Sequence, residues 1–409
     1  MNKSVHYLDK NTARLITSNQ VIQGPYNIVK ELVENALDAN ATSLEIRLDN
    51  FGFDKVEVKD NGRDTLQTYG FRGEALGAIC CIANCTMVTK TEEDTVANFY
   101  KFDSDGNIIE TKPSHLSQGT TISVSQLFCH QPARRRMLLS GRAGVSLGAS
   151  KSSTLSSIRS YLGAMGVAWP QIRISFIHNG SLVWRKQPIP LSNNNILITA
   201  FGETLGHAHA TMFQHLSAQL ENSVTLNMLV PKMGCGIKEI CQSSKAGMII
   251  ILNKRVIRHK KIENVMIQHL NANFTEIGKN KYPACVVEVT IDSHDIDINL
   301  EPDKSKILIN SETEEVMLEE IGKLLSTYYS NVPLPTKKSM AIEDPTNDNT
   351  EVESNEFDEV EPKTKKIKMD SDDTENGLCM ENNASSTVLS SKPSYTIEIL
   401  GTEETETPN

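Results

Sequence analysis

Val29, Leu32, Val33, Ala36 and Leu37 recur at helical spacing and form one apolar stripe, which predicts a helix packed on a sheet. Downstream the period changes to two. Residues 42–48 and 55–59 alternate apolar with polar side chains and predict half-buried strands, with Asn50, Phe51 and Gly52 as the turn between them. Similar patterning predicts a strand over 119–127, a helix over 154–165, and a hairpin in which 173–178 turns at Asn179-Gly180 into 182–185. Together these elements make one α+β layered unit.

Around 187–195 the chain turns to Pro, Ser and Asn, which predicts a boundary. Beyond it the pattern predicts strands over 224–229, 248–257, 284–291 and 295–300, with helices over 262–274 and 312–329, a second α+β unit. From 331 onward aromatics nearly vanish while Asp, Glu, Ser, Thr and Asn dominate. Such a composition buries too little apolar area to offset chain entropy, so 331–409 is expected to be a disordered acidic tail.

That tail changes the meaning of the charge. The chain of 409 residues carries a net −10, but residues 331–409 hold seven Lys against eighteen Asp or Glu, or −11. Residues 1–330 then carry 34 basic against 33 acidic groups, or +1, and an acidic total says nothing against a nucleic-acid partner. Within the tail, Lys363-Thr364-Lys365-Lys366-Ile367-Lys368 is a basic cluster suited to nuclear import, or else a charge run in a solvated linker. The longest apolar stretch, Met248–Leu252, is far too short to cross a bilayer, so no membrane partner is expected. Eight cysteines lack the paired short spacings of zinc sites or redox dithiols and are read as reduced thiols, mostly core fillers on the segment 77–85.

The candidate chemistry gathers in three blocks. Glu31, Asn35 and Asp38 follow at i, i+4 and i+7 on a stripe distinct from the apolar one, which predicts that they point together out of the core. A carboxylate there could take a proton from water, and an amide oxygen could ligate Mg²⁺; the ordinary polar face of an amphipathic helix would look the same. Asp60-Asn61-Gly62 follows a strand, where Gly permits a sharp turn and Asp can accept a hydrogen bond from an exocyclic amine. Gly70-Phe71-Arg72-Gly73-Glu74-Ala75-Leu76 places glycines before a helix, so that free N–H groups and the positive helix end can meet phosphates. Gly119-Thr120 opens a later strand.

In this order the blocks resemble the GHKL ATPases, and Gly-Phe-Arg-Gly-Glu-Ala-Leu within that group resembles the MutL-type DNA mismatch-repair proteins. The similarity runs over about residues 12–330 and includes Asp297-Ile298-Asn299-Leu300-Glu301-Pro302-Asp303-Lys304. Wording around Asn50 to Lys55, Lys112 to Leu116 and Pro302 to Ser305 resembles the eukaryotic post-meiotic-segregation-protein-one branch. The resemblance implies an α+β fold: a GHKL (Bergerat) α/β sandwich ATPase domain over 1–190, a smaller α+β transducer domain of ribosomal-protein-like fold over 191–330, and the tail over 331–409. It implies ATP and Mg²⁺ as cofactors, with Glu31 as general base, Asn35 as Mg²⁺ ligand and Asp60 as the adenine contact. By the same carry-over Asp38, Ala39, Gly62 and Thr120 belong to the nucleotide site, Arg72, Gly73, Glu74, Ala75 and Leu76 to the phosphate loop, and Lys304 senses the γ-phosphate. The implied role is a nuclear, ATP-controlled switch in mismatch repair that works with a MutL-family partner chain and mismatch-recognition proteins on DNA.

Basic clusters at Arg134-Arg135-Arg136, at Arg142 with Lys151, and at Lys254, Arg255, Arg258, Lys260 and Lys261 suit phosphate contacts without base reading, or a solvated basic face. Departures from the family are also visible. After Gly62 the chain reaches Gly70 at once, where MutL relatives insert about thirty more residues of pocket wall and lid. Thr17 to Pro25 replaces an alanine-alanine-glycine-glutamate run, no endonuclease metal motif is present, and the sequence runs to Asn409 in its acidic tail, where relatives are expected to continue through a linker into a carboxy-terminal dimerisation domain. A thinner pocket wall predicts weak Mg-ATP binding and weaker hydrolysis. The alternative is a truncated, non-catalytic DNA- or partner-binding module that cannot cycle ATP.

Overall fold

The computed structural model describes residues 9–63, 74–140, 147–190, 192, 195–220, 224–274, 277, 281–297 and 307–331. The expected tail beyond Asn331, its basic cluster, Arg72, Gly73, Arg142 and Lys304 lie outside the described residues, and Asn331 itself ends a helix. The first elements are α1 (Lys10–Val21), α2 (Pro25–Asp38), β1 (Ser43–Asp49), β2 (Lys55–Asp60), α3 (Glu74–Ile82), β3 (Asn84–Lys90), β4 (Ala97–Phe102), β5 (Ile108–Ser114) and β6 (Gly119–Ser125). Then come α4 (Pro132–Ser140), α5 (Leu147–Ala168), β7 (Arg173–His178) and β8 (Ser181–Lys186).

Their strands form one eight-stranded sheet in the order β5-β4-β3-β6-β2-β1-β7-β8, antiparallel except where β1 runs parallel to β7. Because side chains alternate across a strand, Leu44, Ile46 and Leu48 of β1 and Val56 and Val58 of β2 all point to one face. There they pack with Ile28, Leu32 and Val33 of α2 and Ile158 and Leu162 of α5 in a single core, as the apolar stripe predicted. Cys80 and Cys85 are buried in the same core, and every cysteine among the described residues is a free thiol. Hydrogen bonding to Cys80 and burial push the Cys85 thiol far above its ordinary range, which keeps it protonated.

The next elements are α6 (Ile196–Leu205), α7 (His207–Ala210), β9 (Phe213–Gln219), β10 (Thr225–Pro231), α8 (Ile237–Ile240), β11 (Cys241–Gln242), β12 (Met248–Leu252) and β13 (Arg255–Ile257). They are followed by α9 (Lys260–Asn273), β14 (Tyr282–Pro283), β15 (Cys285–Thr290), β16 (Ile296–Asp297), β17 (Leu308–Ile309) and α10 (Ser311–Asn331). A five-stranded sheet of order β13-β12-β15-β10-β9 carries a second core with Met266 and Leu270 of α9 and Ile321 and Leu325 of α10. Ala164, Val167 and Ala168 at the end of α5 also pack into this second core, so one helix serves both.

Two expectations are corrected. The predicted strand over 248–257 is a hairpin, broken at Asn253 and Lys254, whose φ values of 46° and 66° are both positive. Two consecutive left-handed residues make the tight reversal that matches strand twist, and Asn253 fixes it by donating to Ile291 O at 2.8 Å and accepting from Ile291 N at 2.9 Å. Secondly, the Glu31–Asn35–Asp38 stripe does not point out of the core as a unit. Glu31 is 3% exposed, Asn35 is half-buried and Asp38 is exposed, because α5 covers the first part of α2 and leaves its end open.

Lys186 is fully buried, although nothing in its sequence neighbourhood marks it. Its ammonium donates to the carbonyls of Pro170 at 2.5 Å, Ile172 at 3.0 Å and Gln187 at 3.1 Å. Burial pulls its pKa down to about 8, with Glu203 opposing the shift. The three carbonyl acceptors are what make an interior ammonium tolerable.

Candidate functional site

Helix α2 starts with Pro25 in its first turn and ends in a Schellman motif. Asn40 adopts φ 57°, its N–H donates to Leu37 O, and Ala41 N–H donates to Ala36 O. This sharp stop brings the chain into β1 with Ala39 facing the Asp60-Asn61-Gly62 turn. Arg63 N–H donates to Ala39 O at 3.0 Å. Gly62 packs so closely that a Cβ there would meet Ala39 Cβ at 2.9 Å and Asp60 Oδ1 at 3.0 Å.

Each side chain of the turn has a distinct task. Asn61 Oδ1 accepts from the N–H groups of Thr42 at 2.9 Å and Ser43 at 2.8 Å, while its amide donates to Thr42 Oγ1 at 2.9 Å. Asp60 Oδ1 accepts from Gly62 N–H at 2.8 Å and from Thr120 N–H at 3.3 Å, which orients the carboxylate from two strands at once. Thr120 Oγ1 lies 3.0 Å from Thr89 Oγ1. Gly119, at φ 123°, lets β6 approach this turn; an added Cβ would meet Asp60 O at 2.1 Å.

A cleft of about 360 Å³ opens beside the turn, lined by Asn40, Thr42, Asn61, Arg63 and Gln118. Of these, only Asn61 belonged to a motif singled out from sequence; Asn40 could have been found as the polar residue that tolerates the left-handed stop after a helix. The structure thus joins Ala39, Asp60, Gly62 and Thr120, four residues from three separate stretches of chain, around the end of α2 that carries Asn35 and Asp38. Glu74, Ala75 and Leu76 form the first turn of α3.

Glu31 sits deeper. The Tyr161 hydroxyl donates to Lys30 O at 3.4 Å, and its pKa is pushed well up, first by burial and then by Glu34, Tyr26 and Glu31. Among the described residues no cluster of three His, Cys, Asp or Glu could hold a metal ion. Asn35, an amide, would not appear in such a cluster.

Comparison with known proteins decides the family. The chain is 32% identical over 353 residues to human PMS1 protein homolog 1, covering 80% of this chain and 36% of that protein. It is 28% identical over 345 residues to the DNA mismatch repair protein MutL of Limosilactobacillus reuteri, covering 77% and 47% respectively. A family profile described as the DNA mismatch repair protein C-terminal domain matches residues 202–327, which hold the five-stranded sheet and most of α10. The chain belongs to the MutL-type family of DNA mismatch-repair proteins. It spans about a third to a half of the length of the curated relatives it matches.

For this MutL-type chain the solved structures agree on the fold. The crystal structure of the N-terminal domain of a DNA repair protein superposes with a TM-score of 0.63 at 23% identity, covering 79% of this chain and 98% of that one. The Aquifex aeolicus MutL ATPase domain complexed with ADP gives 0.52 at 19% identity, covering 75% and 98%. The mixed α+β architecture is therefore that of the MutL GHKL ATPase domains.

The basic residues singled out from sequence are dispersed among structural partners. Arg134 lies over the Phe128 ring at 4.4 Å, and Nη2 donates to Asn19 O and Ile22 O, both at 3.4 Å, which ties down the end of α1. Arg135 pairs with Asp54 at 3.6 Å. At the hairpin tip Lys254 pairs with Glu288 at 2.8 Å, and further on Arg258 reaches Glu263 at 3.3 Å and Lys261 reaches Glu314 at 2.6 Å. Arg255 is half-buried, whereas Arg136 and Lys260 are exposed.

Proposed function

We propose that this chain acts in DNA mismatch repair as a nucleotide-responsive switch that binds Mg-ATP weakly and turns it over slowly. The carrying observation is the placement of Asp60, whose carboxylate is aimed by Gly62 N–H and Thr120 N–H beside the end of α2. A carboxylate fixed in this way accepts a hydrogen bond from an exocyclic amine without reorganising. Ala39, Gly62 and Thr120 line the base end, Asn35 supplies the oxygen for Mg²⁺, and Asp38 extends the polar rim. Arg72, Gly73, Glu74, Ala75 and Leu76 supply the phosphate end at the start of α3, and Lys304 the γ-phosphate contact. Glu31 orients the attacking water. Bound nucleotide contributes the free energy that orders the loops around the site. The ADP complex of the Aquifex aeolicus MutL ATPase domain supports a nucleotide in this fold.

DNA is held through its phosphates chiefly by Arg136, Arg255 and Lys260, because Arg134, Arg135, Lys254, Arg258 and Lys261 of the same clusters are engaged by other groups of the fold, in a nuclear assembly with a MutL-family partner chain and mismatch-recognition proteins. The test is a thermal melt with and without Mg-ATP. Ligand that binds only the folded state raises the midpoint as its concentration passes Kd. A rise with ATP that Asp60→Asn removes supports the reading; no rise at saturating Mg-ATP contradicts it.

A second reading, a DNA- or partner-binding module that does not cycle ATP, is favoured by two observations. Only eleven residues join Gly62 to Glu74, and Glu31 is buried beneath α5. Salt-dependent DNA binding in a chain that shows no ATP-dependent melt would select it.

A further inference from the structure

A second and larger cleft, of about 520 Å³, is lined by Lys59, Lys90 and the residues around β4 and the β5–β6 connection. Val56 and Val58 of β2 and Cys85 and Met87 of β3 face the helices, so by alternation Lys59 and Lys90 project from the opposite, helix-free face. The register brings the two lysines together. Lys59 is opposite Thr121 of β6 and Lys90 is opposite Gly119 of the same strand, which leaves their backbones two ladder spacings apart across β6 and two residues apart along it, about 12 Å. His115 and Ser117 from the β5–β6 connection, Ser114 at the end of β5 and Thr95 before β4 complete the polar lining, and among the described residues no carboxylate lines it.

The acids nearest to this cleft are committed elsewhere. Glu45, across the ladder from Lys59, pairs with Arg47 at 2.7 Å. Glu57, two positions back on the same face, is held by Lys55 at 2.6 Å and by Ser123 Oγ at 2.8 Å. Asp94, in the β3–β4 connection, accepts from Thr91 N–H at 2.9 Å and from Thr91 Oγ1 at 2.7 Å. Neither Lys59 nor Lys90 makes a direct ion pair among the described residues, unlike Lys254, Arg258 and Lys261, although Lys90 is near enough to Asp94 to help lower its pKa after the Thr91 hydrogen bonds.

We propose that this cleft on the helix-free face is a binding site for the phosphodiester backbone of a nucleic acid, with Lys59 and Lys90 as its two cationic contacts. Ammonium groups without a direct carboxylate partner, flanked by hydroxyl donors, are the chemistry that binds phosphate without reading bases. An open cleft, free of acidic groups, admits a polymer passing across the sheet. The site rests on the reading that this chain binds DNA, and it adds a surface separate from the clusters at 134–136 and 254–261.

Fluorescence anisotropy with the full chain tests it, using a labelled single-stranded oligothymidylate and a labelled mixed-sequence duplex over a range of salt. For K59E/K90E the expected result is a loss of about tenfold in affinity at low salt, and a salt slope on the single strand lower by about 1.4, from two contacts at roughly 0.7 each. The milder K59Q/K90Q is expected to lower the slope equally with a smaller loss of affinity, and both variants keep the melting midpoint because Lys59 is exposed and the half-buried Lys90 makes no direct ion pair among the described residues. K238E/K323E makes the same change in net charge elsewhere and is expected to leave the slope in place; equal weakening by this control overturns the site. If the unaltered chain binds and K59E/K90E binds identically, this site is wrong while the DNA reading stands. If the unaltered chain binds neither oligonucleotide, both are wrong.

Discussion

Two asparagine-anchored segments, at Asp60-Asn61-Gly62 after β2 and at the Asn253-Lys254 reversal, are built alike and surrounded differently. In each an asparagine side chain takes the backbone of a neighbouring segment, Asn61 that of Thr42 and Ser43, Asn253 that of Ile291. Around the first, the remaining polar group is a carboxylate aimed beside an open cleft. Around the second, the cations that look available in sequence are drawn toward Glu288, Glu263 and Glu314. A turn motif fixes position through its own backbone, so it reads through from sequence to structure. A charge run has no meaning until the acids that fold against it are known.

The largest effect expected from breaking this comparison is at Gly119. Gly119→Ala forces a Cβ to within 2.1 Å of Asp60 O at a left-handed φ, and a loss of at least about 3 kcal/mol in urea unfolding is expected. A loss below about 1 kcal/mol would mean that β6 does not dock on the turn as described. Next, Asn61→Ala removes three hydrogen bonds and is expected to cost roughly 2–3 kcal/mol, against roughly 1–2 kcal/mol for Asn253→Ala, which removes two. Equal costs would erase the difference between the two turns.

Much of the fold was legible because the pattern and the packing agree. The apolar stripe of α2, the alternation in β1 and β2 and the Asn179-Gly180 hairpin all appear within a residue or two of where periodicity put them. β4 and β5 escaped notice for a physical reason. β5 is an exposed edge strand with Ile108 and Ile109 adjacent and Pro113 within it, so it has no buried face to impose a period of two. Glu31 was misjudged since i, i+4 spacing defines a stripe on one helix and says nothing of a second helix that covers part of it. Lys186 was invisible on the same ground, its three carbonyl partners coming from a loop and its own flank. The meeting of Asp60, Gly62 and Thr120 followed from motifs visible in sequence, although Gly62 does not take the positive φ of a sharp turn, while Asn40, Arg63 and Gln118 became visible only with the cleft.

Smaller effects separate basic residues that bind from those that brace. Lys260 is exposed and makes no ion pair among the described residues, so Lys260→Gln is expected to lower the duplex salt slope by about 0.9 without a change in stability. Arg134→Gln is expected to do the reverse, costing roughly 1 kcal/mol through the lost Phe128 contact and the freed carbonyls of Asn19 and Ile22, with the slope little changed. Anisotropy and urea melts on the same preparations distinguish the two.

The smallest effect concerns pH. His259 caps α9 by accepting from Ile262 N–H on Nδ1 while Nε2 lies 3.1 Å from Glu314, and burial lowers its pKa despite that glutamate. With the folded value depressed below 6.5, the unfolded chain binds the proton first as pH falls. This contribution is therefore fully present above the unfolded value and is lost as pH drops through it toward the folded one. The urea midpoint should fall between pH 7 and pH 5 by more in the unaltered chain than in His259→Asn, which keeps a cap acceptor and cannot titrate. An identical fall in both would show that the imidazole is not what titrates.

The central claim is that Asp60 organises a nucleotide site that the short Gly62-to-Glu74 connection leaves weak. Isothermal titration of Mg-ATP into the full chain and into Asp60→Asn tests it directly, because Asn retains the acceptor for Gly62 and Thr120 and removes only the carboxylate. The account predicts a Kd weaker than about 100 μM, less than roughly 5.5 kcal/mol of binding free energy, and no measurable binding to Asp60→Asn. Binding that Asp60→Asn leaves unchanged would contradict it, and so would micromolar affinity abolished by Glu31→Ala or Asn35→Ala.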